Sequence, residues 1–363
     1  MIKHEIFLAS HADARDSDPV IMATDIPPDN QALANLKDEI TVHHNSHAWD
    51  LMKRYTNAFE TVTKTHKPPV SRSYYKLLEI MVDHRDSLSL IGESALFIAE
   101  GPGGFVEAFY DYTAKTCKNV YCNTLISSNK QVPSWKIPTS QMSSRSFSPT
   151  FLNGADGTGD LLKTENIVDM ISEIQDKVDF ITSDGGFDFS SDFNGQEVNS
   201  INLLASAMHL ALSVQRPGGS FVLKIFDISL PDTFALLHIL WKSYRKVVIT
   251  KPFTSRPANS EKYVVCMDFI GYDVRDADYL VGPQKLDISR VRLPRSFVDQ
   301  VVKYNTEFAA NQICNIKATL DMIQSKNLDR LIADSMKKQK QCAEQWSRKY
   351  GIGAQQRSIY LSV

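Results

Sequence analysis

The 363-residue chain has little of what marks a secreted, membrane-spanning or strongly charged protein. Its five cysteines, Cys117, Cys122, Cys266, Cys314 and Cys342, form no CxxC pair and no disulfide-like spacing. That argues against a disulfide-stapled scaffold and leaves reduced thiols in an intracellular compartment as the expectation. No run of about 18 apolar residues occurs, so no membrane span is expected. The opening MIKHEIFLAS lacks the apolar core of a signal peptide. Neither sign of charge dominates: 40 Lys and Arg face 42 Asp and Glu, for a formal net charge of −2. Any nucleic-acid binding therefore has to come from a local basic surface. There is no internal repeat and no low-complexity tract. His43, His44 and His47 could suggest a metal, but no cysteine or further histidine with ligand spacing accompanies them, and none is expected.

What is present is a chain long enough to bury a sizeable core, in three regions. Residues 1–65 are polar, with a helical pattern over 46–63, and read as a helical N-terminal extension. Residues 66–275 alternate β-branched runs with helical patterns. Residues 276–363 read as a helical C-terminal extension. In the middle region the runs 95–99, 120–126, 178–183, 220–226, 246–250 and 262–270 read as strands. Helical patterns fall at 72–80, 105–112, 197–215 and 234–244, the third with Ile201, Leu204, Met208 and Leu212 on one face. Strands alternating with helices predict an α/β fold with a doubly wound, mostly parallel sheet, in which ligands bind at the carboxyl ends of the strands.

Several polar residues fall at such ends. Glu100 closes the run 95–99, and Gly101-Pro102-Gly103-Gly104-Phe105 leads into a helix. Glycines there let backbone approach a ligand, and the helix start offers free N–H groups. The pattern is not the dinucleotide G-x-G-x-x-G, and no acid ends the following strand, so a dehydrogenase is disfavoured. A plain tight turn is the competing reading. Asp184 follows the run 178–183 in an Asp-Gly-Gly that could be only a turn. Lys224 sits in Phe221-Val222-Leu223-Lys224-Ile225-Phe226, where a buried lysine is rare unless paired, and a structural ion pair is the alternative. Lys76 lies on an amphipathic helix, where a lone lysine is ordinarily solvated. The segment 251–266 carries the densest signal: a loop Thr254-Ser255-Arg256-Pro257-Ala258-Asn259-Ser260-Glu261 between two strands, which reads as a polar binding loop. Lys337, Lys338, Lys340, Arg348 and Lys349, with Trp346 and Tyr350, form a basic terminal helix that reads as a solvated face with a docking anchor, or as an RNA or protein contact.

Lys76, Asp184, Lys224 and Glu261, in that order, resemble the K-D-K-E tetrad of the FtsJ-like S-adenosylmethionine-dependent ribose 2′-O-methyltransferases. Over residues 70–270 the chain is most similar to the mRNA cap-1 2′-O-methyltransferases of eukaryotes and large DNA viruses, on the loop 254–261, the turn 100–105 and Asp156-Gly157-Thr158-Gly159-Asp160. The resemblance implies a Rossmann-like methyltransferase sheet with an antiparallel last strand. It implies S-adenosylmethionine as cofactor, held by Glu100, Gly101, Pro102, Gly103, Gly104, Phe105, Thr124, Asp160 and Asp184. For Asp160 a helix N-cap is the competing reading. Lys224 becomes the group acting on the target 2′-hydroxyl, as base or as orienter, with Asp184, Lys76 and Glu261 fixing it. Arg72, Tyr75, Ser255, Arg256, Asn259 and Ser260 become RNA contacts; of the adjacent Tyr74 and Tyr75, only one can face the site. The implied partner is capped mRNA, with capping or transcription machinery as a further one, in nucleus, cytoplasm, viral factory or virion. Ribosomal or transfer RNA as substrate, or a non-catalytic RNA-binding module, are the alternatives.

Overall fold

The structure is a computed structural model that describes residues 4–9, 18–26, 31–45, 47–63, 68–90, 92–113, 117–130, 132–136, 149–187, 192–273, 280 and 291–351. In chain order its elements are β1 (His4–Leu8), β2 (Val20–Met22), α1 (Gln31–Asn45), α2 (Ala48–Thr56), α3 (Ser73–Asp83), β3 (Ser94–Ile98), α4 (Gly104–Thr113), β4 (Asn119–Cys122) and β5 (Thr150–Phe151). Then come α5 (Thr164–Glu173), β6 (Val178–Ser183), α6 (Gln196–Val214), β7 (Gln215–Ile225), α7 (Pro231–Ser243), β8 (Tyr244–Lys251), β9 (Lys262–Phe269), β10 (Arg292–Pro294), α8 (Arg295–Gln324) and α9 (Leu328–Tyr350).

Eight strands form one sheet in the order β1-β8-β9-β7-β6-β3-β4-β5. β5, β4, β3, β6 and β7 run parallel, and β9 inserts antiparallel between β7 and β8. This is the expected doubly wound α/β sheet with its last strand reversed. The chain leaves β3 in one direction to β4 and β5 and in the other to β6 and β7, so the switch point lies between β3 and β6, where such folds open a crevice at the strand carboxyl ends.

The two-residue alternation of the strands explains the layers. Leu96, Ile98, Ile181, Leu223, Ile225 and Val264 face one core under α5, α6, α7 and the start of α8. Ala95, Phe97, Phe180, Val222, Val265 and Met267 face a second core under α3, α4 and the end of α9. Burial on both faces is why these strands read as continuous apolar runs. A smaller cluster of Leu33, Ile40, Trp49, Ile316 and Leu320 joins α1 and α2 to α8.

Two expectations need correction. The N-terminal segment, expected to be helical, also supplies strands: β1 pairs antiparallel with β8 and closes that edge of the sheet, and β2 pairs with β10. The helix expected over 46–63 is the shorter α2, Ala48–Thr56, and a further helix, α1, precedes it; the two are separated at His47, which adopts a left-handed φ of 61°. Of the three histidines there, His43 lies on α1 and His47 precedes α2; the side chain of His44 lies outside the described residues. Among the described residues no group of three His, Cys, Asp or Glu side chains is arranged to hold a metal, and no helix is long and apolar enough to cross a membrane. All five cysteines are free thiols.

Candidate active site

β9 runs opposite to β7, so its first residues lie beside the last residues of β7. The register pairs Lys224 with Tyr263 and Ile225 with Lys262. Glu261, one residue before β9, therefore arrives at the same end of the sheet as Asp184 after β6 and Glu100 after β3. From the helix layer, α3 sends Lys76 down to meet it: Lys76 Nζ lies 2.8 Å from Glu261 Oε2. Lys224 Nζ donates to the Asp184 backbone carbonyl at 2.6 Å and lies 3.4 Å from Asp184 Oδ1. The Tyr263 hydroxyl donates to the same Oδ1 at 2.9 Å. The four residues expected to act together thus form two ion pairs side by side, nearly removed from water.

Their charges are set by one another. Burial works to lower the Lys224 amine, but Asp184 and Glu261 outweigh it and hold it above the ordinary lysine value. Burial pushes the Glu261 carboxyl up, yet Lys76, Lys224 and Lys251 together hold it well below the carboxylate range. The arrangement is an alternating lattice of cations and anions in which Lys224 is an ammonium.

The loop carrying Glu261 is framed by buried charged groups that sequence reading passed over. Glu79, fully buried on α3, accepts the Phe253 N–H at 2.6 Å, the Thr254 N–H at 2.9 Å and the Thr254 hydroxyl at 2.7 Å. Its Oε1 also accepts the indole N–H of Trp346 at 3.0 Å. Lys251 donates to the Asn259 carbonyl, to Asn259 Oδ1 and to the Glu261 carbonyl at 2.9, 2.6 and 2.7 Å. Lys262 donates to the carbonyls of Phe226 and Ser260 and sits over the Phe308 ring at 4.1 Å. The sequence signal was there: Glu79 falls on the apolar face of its helix, Lys251 follows the run Val247-Val248-Ile249-Thr250, and Lys262 opens the run Tyr263-Val264-Val265-Cys266-Met267.

Several residues expected to touch RNA belong to this frame. Ser255 is buried and donates to Glu261 Oε1 at 2.7 Å. Ser260 is buried and donates to Gln196 Oε1. Tyr74 and Tyr75 are both buried, Tyr75 edge-on to Trp346 at 5.4 Å and Tyr74 donating to Asp111 at 3.1 Å. Adjacent helix positions both turn inward because α3 is covered from two sides, by α4 and α9. Arg72 donates to the carbonyls of Glu60, Phe59 and Thr254. Arg256 makes a forked pair with Glu60, at 3.1 and 2.8 Å. Both arginines and Asn259 remain partly exposed.

Across the switch point stands a second wall. Glu100 is 2% exposed. Its Oε1 accepts the Thr182 hydroxyl at 2.6 Å, while Oε2 has no hydrogen-bond partner among the described residues. The turn that follows is tight: a Cβ on Gly101 would lie 2.3 Å from the Pro133 carbonyl oxygen, and Gly103 has a φ of 109°. Thr124 Oγ1 accepts the Gly101 N–H at 3.2 Å. Asn123, also missed, ties the wall together: it accepts the Ala99 N–H and donates to the carbonyls of Leu152 and Gly159. Asp160 is not a helix N-cap, because α5 begins at Thr164 with Lys163 in that role; its Oδ1 accepts the Leu162 N–H in a local turn.

Beside the loop, a pocket of about 130 Å³ is lined by Trp49, Lys53, Phe193, Gln196, Arg256 and Asn259, among others.

The profile of the FtsJ-like methyltransferase family matches residues 69–269. The chain is 32% identical over 243 residues to a cap-specific mRNA (nucleoside-2′-O-)-methyltransferase 1 of Trypanosoma brucei brucei, covering 63% of this chain and 64% of that protein. It is 29% identical over 276 residues to the protein of the same name from Trypanosoma cruzi, covering 70% and 75%. To the Mus musculus protein of that name it is 39% identical over 168 residues, covering 44% of this chain and 20% of the mouse protein. The matched stretch thus spans from a fifth to three quarters of these relatives. With the sheet order, the paired lysines and carboxylates and more than half of the chain matched, this chain belongs to the FtsJ-like methyltransferase family.

Proposed function

We propose that the chain transfers a methyl group from S-adenosylmethionine to the 2′-hydroxyl of a ribose in RNA, at the first transcribed nucleotide of capped mRNA. The observation that carries the reading is the Lys224 ammonium, buried at the switch point against Asp184 and next to the Lys76–Glu261 pair. A structural ion pair needs one partner. Here two lysines and two carboxylates converge from α3, β6, β7 and β9 on the crevice where the fold binds ligands.

The opposite wall suits the cofactor. The turn 101–104 brings bare backbone and the first N–H groups of α4 to the crevice, and the unpaired Glu100 Oε2 is an acceptor for a cation. Glu100, Gly101 to Phe105 and Asp184 are proposed to hold the amino-acid end, Thr124 the ribose side and Asp160 the adenine side. When bound, the cofactor supplies a methyl group on a positively charged sulfur. The remaining task is alignment, which in the best intramolecular cases contributes about 7–11 kcal/mol. Lys224 directs an N–H at the 2′-oxygen and holds it in line, while Asp184 and Glu261 keep the amine charged and in place. We assign Lys224 as orienter rather than base because the surrounding carboxylates oppose loss of its proton.

The pocket beside the loop is the proposed seat of the cap guanine. It offers aromatic surface from Trp49 and Phe193, and its cations are each paired with an acid: Lys37 with Asp227, Lys53 with Asp50 and Arg256 with Glu60. A seat and a tetrad at set separation act as a ruler that selects the first nucleotide. Arg72, Arg256 and Asn259, on the rim between them, are proposed to meet the phosphates. The cap-specific names of the relatives support the same choice of substrate.

The test is methyl transfer from labelled cofactor to capped and uncapped RNA of one sequence, with nuclease mapping. Label at the first nucleotide of capped RNA is expected. Equal use of uncapped RNA, or label at an internal site of a folded RNA, refutes the cap reading and favours ribosomal or transfer RNA.

A further inference from the structure

Glu100 is out of place by ordinary rules. A carboxyl removed from water normally has both oxygens satisfied. Here Oε1 accepts one hydroxyl hydrogen from Thr182, and Oε2 has no partner among the described residues. The backbone on either side is held, since the Glu100 N–H donates to the Asn123 carbonyl at 3.0 Å and its own carbonyl accepts the Gly103 N–H at 2.6 Å. The titratable groups facing it come from every neighbouring strand: Cys122 from β4, Asp184 after β6, Lys224 from β7 and Tyr263 from β9. Cys122 and Tyr263 are pushed upward by burial and stay neutral. Lys224 is already engaged by Asp184. Burial and the Asp184 charge raise the Glu100 carboxyl well above the usual range, and Thr182 and Lys224 do not reverse this. Without a ligand, burial and the neighbouring Asp184 charge therefore favour the protonated form of this acid, whose backbone leads directly into the glycine turn.

We propose that Glu100 receives the α-ammonium of the cofactor's amino-acid end and releases its own proton as that cation arrives, so that cofactor binding is coupled to proton release. The O–H bond of the carboxyl breaks, its proton passes to solvent, and the ammonium keeps all three of its hydrogens. The inference rests on the cofactor reading above and adds a charge relation to it. Binding lowers the Glu100 pKa, so affinity rises with pH between the bound and free values and levels off above the free value.

Titration calorimetry of the full chain tests this with S-adenosylmethionine and with its demethylated product. Runs in two buffers of different ionisation enthalpy, between about pH 5.5 and 7, stay below the titration of the α-amino group itself. The expected result is release of up to about one proton with either ligand, because both carry the ammonium, and affinity that climbs with pH. Glu100→Gln, checked for wild-type melting, is expected to bind at least about tenfold more weakly, with no proton release and no pH dependence. The wild-type measurement stands even if the variant does not fold. Binding without proton release, release that persists in Glu100→Gln, or release with S-adenosylmethionine alone overturns the inference while leaving the cofactor reading intact. Binding of neither ligand overturns both.

Discussion

Glu79→Gln isolates the link between the C-terminal helix and the loop that carries Glu261. Glu79 takes four hydrogens, from Phe253 N, Thr254 N, Thr254 Oγ1 and Trp346 Nε1. All four partners are donors. A glutamine of the same shape has one acceptor oxygen and an NH₂ group, so at least one donor must then face another donor. Turning the amide to keep the three bonds at Oε1 sets its NH₂ against the Phe253 N–H. Leaving one buried donor unsatisfied costs about 1–3 kcal/mol, and the bonds that remain lose their charge assistance. The sum is about 2–4 kcal/mol. The loop that moves also carries Ser255 and Glu261, and through Glu261 it positions Lys76. A melting temperature lower by several degrees is expected, together with a fall in kcat of about tenfold or more, since small displacements of a positioned group are costly. Calorimetric affinity for the cofactor should stay within about twofold, because the opposite wall is untouched. Trp346→Phe, which keeps the ring against Tyr75 and Tyr350, should show the same pattern in milder form. Wild-type melting and kcat in Glu79→Gln would refute the argument, as would a loss of cofactor affinity that parallels the loss of rate.

Four further outcomes follow from the same geometry. Lys224→Ala should reduce single-turnover methyl transfer by at least about a hundredfold with the fold intact, and near-normal turnover would remove Lys224 from the chemistry. Because Asp184 and Glu261 hold its amine above the ordinary lysine value, the wild-type single-turnover rate should be flat from about pH 7 to 9; a rise of about tenfold per pH unit would make Lys224 the base instead. Gly104→Ala should melt lower by about 1–3 kcal/mol, since the new Cβ would lie 3.0 Å from the Tyr74 backbone nitrogen and closer still to the hydroxyls of Ser71 and Ser73. Arg256→Ala should weaken capped-RNA binding with a smaller salt slope, measured by filter binding, and it also strips Glu60 of its forked partner.

The fold was legible because its signals are local. The runs ending at Ile98, Ser183 and Ile225 are apolar on both faces, as strands covered by helices must be, and each is followed within two residues by an acid, Glu100, Asp184 and Asp227. β1 and β5 were missed for a related reason. His4–Leu8 lies at the sheet edge with Phe7 half exposed, and Thr150–Phe151 is two residues long, too short to show a period. The division of α1 from α2 depends on one backbone turn at His47, which no periodicity announces.

The tetrad was legible and its scaffolding was not, and the difference is physical. A lysine inside Phe221–Phe226 violates the burial rule, so it stands out in sequence. Arg256, Ser255 and Ser260 sit in the same polar loop and looked equally available to RNA. Whether such a group faces a ligand or its own protein depends on partners far away in the chain: Glu60 lies 196 residues from Arg256, and Gln196 lies 64 residues from Ser260. Those partners are set by packing, not by spacing. A near-neutral chain can therefore hold many charges at one crevice and still offer few of them to a polyanion. Lys251 and Lys262 hold backbone carbonyls, Lys76 holds Glu261, and Arg72 and Arg256 meet over Glu60. Phosphate has to compete with Glu60 for both guanidinium groups. That competition favours a substrate anchored elsewhere, by a base in the pocket beside Trp49, over one gripped by its backbone alone.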